Sequence, residues 1–336
     1  MYVADMHCDT ISEIYHRRKN GESIELAKSS LQIDLEKLQQ GNYILQNFAI
    51  FVNQGLGENP YQCAKNQIAV FQEEMRQNAD KICQVTSIKQ VEENRATGRI
   101  SALLTMEEGE ACEGDLEKLE EFYDAGVRMM TFTWNYKNSL GSPATELPLG
   151  VECGGLRCIE WQMRKETGLT EQGIAFLEKM EQLGIIPDVS HLSAEGFYDV
   201  CRYSKKPFVA SHSDAAALCG HKRNLTDDMI REIAKRGGVI GINYYGRFLE
   251  ERGEHGIYYS RVSRIADHIL HMIRVGGIAC VGLGADFDGM DDNLEMEDCS
   301  KMVLLWEELR KRGLSEEEVE AVFYRNVWEL YRECLQ

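Results

Sequence analysis

The sequence is poor in residues that break secondary structure or cross-link a chain. Its 336 residues include only 5 prolines, and no Pro/Gly/Ser-rich linker or low-complexity tract divides them. The 11 cysteines are irregularly spaced and form no CxxC pair. An odd number of scattered cysteines argues against a disulfide framework and favours a reducing compartment. We therefore expect one domain over residues 1–336, located in the cytoplasm.

Basic charge and long apolar runs are also scarce. The chain has 55 acidic against 37 basic residues, a net charge of −18. Since nucleic acids and anionic membranes are bound by basic patches, we expect neither as a partner. No apolar run approaches the roughly 20 residues that cross a bilayer. The first residues, MYVADMHCD, lack the basic and apolar regions of a signal peptide.

What the sequence does contain is a series of eight short apolar runs: YVADMH, QNFAIFV, ISALLTME, VRMMTFTW, IIPDVSH, PFVASHS, GGVIGIN and ACVGLGAD. Such runs are typical of parallel strands buried on both faces. Segments such as DLEKLEEFYDAG, TEQGIAFLEKMEQLG and TDDMIREIAKRGG lie between them and carry apolar residues at helical spacing. Eight strands alternating with helices predict an α/β fold, a TIM-like (β/α)₈ barrel.

Polar residues follow five of the runs where each strand ends: His7 and Asp9, Glu107, His191, His212 and Asp286. The carboxyl ends of TIM-barrel strands form one mouth, so these residues are expected to converge. Imidazole and carboxylate ligands together suit zinc, with cobalt or manganese as substitutes. The pattern therefore predicts a metal site.

Several of these residues have alternatives. A lone HxD motif, such as His7-x-Asp9, is more often a hydrogen-bonded histidine beside a capping aspartate. The segment LLTMEEGE offers Glu107, Glu108 and Glu110 as the carboxylate. Each of the three is about as often an acidic loop cap as a ligand.

Two further positions point to substrate chemistry. Asp286, in VGLGADFDG, is placed to bind a metal or to accept a proton, and Asp288 follows it closely. Arg223, in CGHKRNLTDD, carries a planar guanidinium that fits a carboxylate. An ordinary surface arginine is the alternative for Arg223.

Five motifs in order, DMHCDT, LLTMEEGEACEG, DVSHLS, PFVASHSDAAALCGHKRNLTDD and VGLGADFDG, span nearly the whole chain. In them the sequence resembles the membrane (renal-type) dipeptidases, zinc metallopeptidases of the amidohydrolase-like barrels. The resemblance implies two Zn²⁺ ions per subunit, bridged by Glu107. It implies two ligand sets: His7, Asp9 and Glu107 for one ion, and Glu107, His191 and His212 for the other.

The resemblance also implies an activity and two further roles. The family hydrolyses dipeptides through a hydroxide that bridges the metals, which implies L-Xaa-L-Xaa or L-Xaa-D-Xaa substrates here. Arg223 matches the arginine that holds the free carboxylate of the substrate. Asp286 matches the acid that transfers the proton. Related enzymes often dimerise, so the same resemblance suggests a homodimer.

The chain departs from the family in two places. Trp134, in TFTWNYKN, stands where the renal enzymes have a histidine near the scissile carbonyl, so that contact must come from the metals, Asn135, Tyr136 or elsewhere. The animal enzymes are secreted and lipid-anchored, and we expect neither feature here. Alternative functions are another metal-dependent amide hydrolase, such as one acting on N-acyl amino acids, and a barrel that binds a ligand without catalysis.

Overall fold

The computed structural model describes residues 1–144, 167–250, 257–290 and 293–336. Its strands are β1 (Val3–Asp5), β2 (Tyr43–Phe51), β3 (Ile82–Val85), β4 (Ile100–Glu107), β5 (Val127–Thr131), β6 (Ile186–Asp188), β7 (Ile240–Ile242), β8 (Tyr259–Ser260), β9 (Val281–Leu283) and β10 (Asn293–Leu294). Its α-helices are α1 (Thr10–Lys19), α2 (Leu35–Gln40), α3 (Pro60–Gln77), α4 (Ile88–Thr97), α5 (Leu116–Asp124), α6 (Glu171–Leu183), α7 (Ala194–Tyr203), α8 (Asp227–Lys235), α9 (Gly246–Leu249), α10 (Val262–Gly276), α11 (Met302–Lys311), α12 (Glu316–Glu320) and α13 (Asn326–Cys334).

Parallel pairing closes seven of these strands into a ring, which confirms the predicted TIM-like barrel, while β8 and β10 pair with each other in a separate sheet. The hydrogen-bonded order is β6-β5-β4-β2-β1-β9-β7. Two residues of the predicted sixth strand fill the remaining place, because Val209 pairs with Asp188 and Ala210 pairs with Ile240. The eight predicted runs therefore follow one another around the ring in chain order, although the sixth is reduced to these isolated bridges.

β3 has no counterpart among the predicted runs. It pairs with the first half of β4, residues Ile100 to Leu103, while β5 pairs with the second half from Leu104 to Met106. β4 thus has β2 along one side and β3 followed by β5 along the other. β3 therefore widens the sheet at the start of β4 and contributes nothing to its carboxyl end.

The three segments predicted as helices form α5, α6 and α8, and each begins at a side-chain cap. The Thr170 side chain accepts a hydrogen bond from the Gly173 N–H at the start of α6, and Gly184 ends that helix with φ +87°. The Thr226 side chain accepts from the Met229 N–H at the start of α8. Glycine suits the left-handed conformation at Gly184 because it has no Cβ. None of the helices in the described ranges is long and apolar enough to span a membrane.

α13 packs against the barrel. An apolar cluster joins one or more residues from each of β1, β2, β4, β5 and β6 to Val327, Leu330 and Tyr331 at the end of the chain. The Tyr331 hydroxyl donates to Oδ1 of Asn47 on β2 over 3.0 Å. The last helix is therefore part of the barrel core.

Candidate metal centre

The structure brings the residues that follow β1, β4 and β9 together. His7 Nε2 lies 3.4 Å from Asp9 Oδ2, 3.4 Å from Glu107 Oε2 and 3.7 Å from Asp286 Oδ1. His7, Asp9 and Glu107 are all buried. Because these side chains lie at the carboxyl ends of barrel strands, they converge on one point at the barrel mouth.

The residues after β6 and after Ala210 complete the cluster on the other side of Glu107. His191 Nε2 lies 2.8 Å from Glu107 Oε1, and His212 Nε2 lies 3.4 Å from the same oxygen. The two Nε2 atoms are 3.0 Å apart. Glu107 therefore presents Oε2 to His7 and Oε1 to the other two histidines.

The donor atoms of this cluster suit divalent cations. The Oδ1 atom of Asn135 lies 3.1 Å from His191 Nδ1 and can only accept, so the hydrogen of His191 is on Nδ1 and its Nε2 presents a lone pair. His7 Nε2 and Asp9 Oδ1 are buried without a hydrogen-bond partner among the described residues. Several acceptors facing one another in a buried site are costly unless a cation lies between them.

The pKa values of Glu107, His191 and His212 are lowered, whereas the effect of burial on His7 is outweighed by Glu107 and Asp9, so that the pKa of His7 rises well above its ordinary value. Burial raises the pKa of Glu107, but the three histidines lower it more, and the pKa ends well below its ordinary value. Burial lowers the pKa of His191 to about 3, with Arg223 adding to the effect. Burial and His7 also lower the pKa of His212. An ionised Glu107 beside two neutral imidazoles is the state that binds metal.

Glu108 and Glu110 do not join the cluster. Glu108 has φ +96°, and its carboxylate accepts hydrogen bonds from the N–H groups of Glu110 and Trp134 at 2.9 and 3.0 Å and from the Asn138 amide. Glu110 accepts from the Ser139 N–H at 2.9 Å. Of the three carboxylates in this segment, the structure brings only Glu107 to the cluster of His7, His191 and His212.

Asp286 faces the cluster, whereas Asp288 faces away. One oxygen of Asp286 is directed toward His7, and the other accepts from Asn243 Nδ2 at 3.0 Å. Burial raises the pKa of Asp286 to about 7. Asp288 instead accepts from the Thr10 hydroxyl at 2.7 Å and the Gln32 N–H at 2.6 Å. Asp288 therefore anchors neighbouring loops.

Arg223 lies beside the cluster as a buried cation. It is 5% exposed and donates to the His212 carbonyl at 3.3 Å and to the Ser213 hydroxyl at 3.5 Å. Its Nε atom is buried without a hydrogen-bond partner among the described residues. Burial lowers its pKa to about 10, so it remains charged near neutrality. Such a group is suited to an anionic ligand.

Trp134 forms an aromatic surface next to His191. Its ring centre is 6.2 Å from that of His191, 4.8 Å from that of Phe51 and 5.7 Å from that of Tyr136. The amide oxygen of Asn135 is already bonded to His191. Where the resemblance leads us to expect a histidine, this chain therefore has the indole ring of Trp134 next to His191, a candidate ligand.

Asn243 was not among the predicted site residues, although it directly follows β7. It holds Asp286, as described above, and its own Oδ1 accepts from the Tyr245 N–H at 2.6 Å. Its position at a strand end was the signal that could have identified it. Ser211, whose Oγ lies 2.8 Å from His212 Nδ1, was also not predicted, although it too lies at the end of a strand.

Known proteins resemble this chain over most of its length. An uncharacterised dipeptidase of Schizosaccharomyces pombe is 29% identical over 312 residues, which cover 89% of this chain and 71% of the relative. The crystal structure of dipeptidase AC, a metallopeptidase of family M19, has a TM-score of 0.87 at 25% identity and covers 100% of this chain and 99% of its own.

A Rhodobacter sphaeroides metallopeptidase, solved with a phosphinate mimic of the dipeptide L-Ala-D-Ala, has a TM-score of 0.85 at 24% identity, with 99% of each chain covered. At that identity the likeness shows the fold. Residues 1–335 match the model of the membrane dipeptidase family, peptidase family M19. The chain therefore belongs to the membrane dipeptidase family of metallopeptidases.

Proposed function

We propose that this protein is a binuclear zinc dipeptidase. The observation that carries the proposal is the position of Glu107, whose two oxygens face His7 on one side and His191 with His212 on the other. His7, Asp9 and Glu107 would hold one ion, and Glu107, His191 and His212 the second. Zinc ions bound at such a site polarise a scissile carbonyl and lower the pKa of water toward neutrality.

Arg223 would set the substrate class. Its buried guanidinium has an Nε atom without a hydrogen-bond partner among the described residues and donates to the backbone carbonyl of His212. A free C-terminal carboxylate would satisfy it and would place the adjacent amide near the cluster. Dipeptides of the type L-Xaa-L-Xaa or L-Xaa-D-Xaa meet both conditions. The Rhodobacter enzyme, which binds a mimic of L-Ala-D-Ala, supports this choice.

Asp286 would move the proton. One of its oxygens is fixed by Asn243, which leaves the other facing the cluster beside His7. A carboxylate in this position can accept a proton from the attacking water and deliver it to the leaving amine. The role rests on the geometry of these two contacts.

The test is a zinc titration of metal-free protein with L-Ala-D-Ala and L-Ala-L-Ala as substrates. Hydrolysis should rise to saturation near two zinc equivalents and should be lost in Glu107→Ala. N-acetyl-L-alanine, which also has a free carboxylate, is the comparison substrate. Tight binding of two ions with cleavage of N-acetyl-L-alanine alone would favour an N-acyl amino acid hydrolase, and failure to bind zinc would refute the proposal.

A further inference from the structure

Two buried aspartates that are not among the proposed ligands occupy equivalent places in the barrel. Asp5 is the last residue of β1 and Asp188 is the last residue of β6, and they are 1% and 2% exposed. β1 and β6 are separated by β2, β4 and β5 in the ring. Neither aspartate belongs to the groups of converging donor atoms found in the described ranges.

Asp5 connects the ends of β1 and β9. Its Oδ1 accepts from the His7 N–H at 3.0 Å, and both of its oxygens lie 3.2 Å from the Ala285 nitrogen. His7 is a proposed ligand, and Ala285 directly precedes Asp286. One carboxylate therefore fixes the two backbone segments that carry His7 and Asp286.

Asp188 repeats this arrangement on the other half of the cluster. Its Oδ1 accepts from the N–H groups of Ser190 and Ser211, each at 2.9 Å. Ser190 directly precedes His191, and Ser211 directly precedes His212. Asp188 therefore fixes the two backbone segments that carry His191 and His212.

We infer that Asp5 and Asp188 are positioning residues, each for one half of the metal centre. The inference rests on the proposed function, because it assumes that two ions bind. Beyond the end of a strand, buried backbone N–H groups no longer have a carbonyl of the neighbouring strand to donate to. A buried aspartate carboxylate can accept hydrogen bonds from two such N–H groups and so hold them in place. Asp188 thereby fixes the separation of two proposed ligands, and Asp5 fixes the separation of one proposed ligand, His7, and the acid Asp286, before a metal arrives.

The test measures zinc affinity by competition with a chromophoric chelator, together with the thermal midpoint of the metal-free protein. Asp5→Ala and Asp188→Ala should each lower the affinity for one of the two zinc ions by about 10–100-fold and leave the affinity for the other unchanged. Asp5→Asn and Asp188→Asn retain an acceptor oxygen and should recover part of the loss.

A second set of variants, made in the His191→Ala protein, identifies which of the two zinc ions each aspartate affects. In His191→Ala the surviving ion should be the one near His7 and Asp9. Adding Asp188→Ala to this variant should not weaken zinc binding further, whereas adding Asp5→Ala should weaken zinc binding again. The reverse pattern would overturn the inference.

Glu181 provides the structural control. It is buried and accepts from the N–H groups of Lys205 and Lys206 at 2.9 and 3.0 Å, which connects α6 to the segment before the sixth strand. Glu181→Ala should lower the thermal midpoint and keep both zinc equivalents. If the aspartate variants behave like Glu181→Ala, the inference fails and the proposed function stands. If the unmodified protein binds no zinc, both fail.

Discussion

Glu107 and Glu108 are adjacent in the chain, yet their carboxylates lie in separate environments. Glu107 Oε1 is 2.8 Å from His191 Nε2, whereas Glu108, at φ +96°, turns its carboxylate to the N–H groups of Glu110 and Trp134. The unusual backbone at Glu108 thus separates two identical side chains. One faces histidine nitrogens, and the other holds the loop that follows β4.

This separation predicts opposite effects of the same substitution. Glu107→Gln should abolish binding of at least one zinc ion, because an amide is a poor bridging ligand. Glu108→Gln should retain both ions and lower the free energy of unfolding by about 1–3 kcal/mol, since an amide NH₂ would face N–H donors. Metal analysis and urea unfolding of both variants check this. Loss of zinc in Glu108→Gln would contradict the assignment.

Arg223→Met should weaken dipeptide binding selectively. We expect KM for L-Ala-L-Ala to rise about 10–100-fold, equivalent to about 1.4–2.7 kcal/mol, because a charge-assisted bond to the carboxylate is lost. L-Alanyl-L-alaninamide, which lacks that charge, should be affected little. Arg236→Met is the control, since Arg236 pairs with Glu232 on the same helix. Equal effects on acid and amide substrates would exclude carboxylate recognition.

Chelation should destabilise the protein. His7 Nε2 and Asp9 Oδ1 are buried without a hydrogen-bond partner in the described ranges, and zinc would satisfy them. At a free zinc concentration 1,000 times its Kd, the native state should gain about 4 kcal/mol. Calorimetry with and without zinc measures the rise in thermal midpoint, and Glu107→Gln should reduce that rise. Equal midpoints in both conditions would argue against a metal centre.

His268 should make stability depend on pH. It is fully buried, its Nε2 lies 3.0 Å from the Leu249 carbonyl, and its Nδ1 accepts from the Ala215 N–H at 3.1 Å. Burial lowers its pKa to about 4. Between about pH 6.5 and 4 the unfolded chain therefore binds a proton that the folded chain does not, so stability falls as the pH is lowered.

The His268 effect is measurable by urea unfolding at several pH values with chelator present. The slope attributable to this group is at most about 1.4 kcal/mol per pH unit. His268→Gln should show a shallower fall than the unmodified protein between pH 6.5 and 4. Identical slopes would mean that His268 does not titrate differently in the two states.

The barrel was predictable because most of its strands are visible in the sequence as short runs of apolar residues. QNFAIFV and ISALLTME became β2 and β4, the longest strands, which are buried on both faces. β3 was missed, since Ile82–Val85 has only four residues and two of them are half-buried. The sixth strand was predicted as a run, but its reduction to pairing at Val209 and Ala210 depends on the neighbouring strands.

The cluster around Glu107 was predictable in part from the positions of the strand ends. Strand ends in a barrel converge, so His7, Glu107 and His212 could be grouped from their positions alone. The residues alone left Glu107, Glu108 and Glu110 open and the family resemblance implied Glu107; the backbone conformation at Glu108 supplies the physical reason. Asp5 and Asp188 were not identified, because they lie inside apolar runs and their partners Ala285 and Ser211 are distant in sequence.

The order of the ring has a consequence for biosynthesis. β1, which carries His7 and Asp9, lies between β2 and β9, and Tyr331 of α13 bonds to Asn47 of β2. β1 is therefore synthesised well before β9 and α13, the elements that complete its surroundings. Assembly of the proposed ligands is expected to follow synthesis of α13, so that a nascent chain stalled before α13 would not acquire the complete centre.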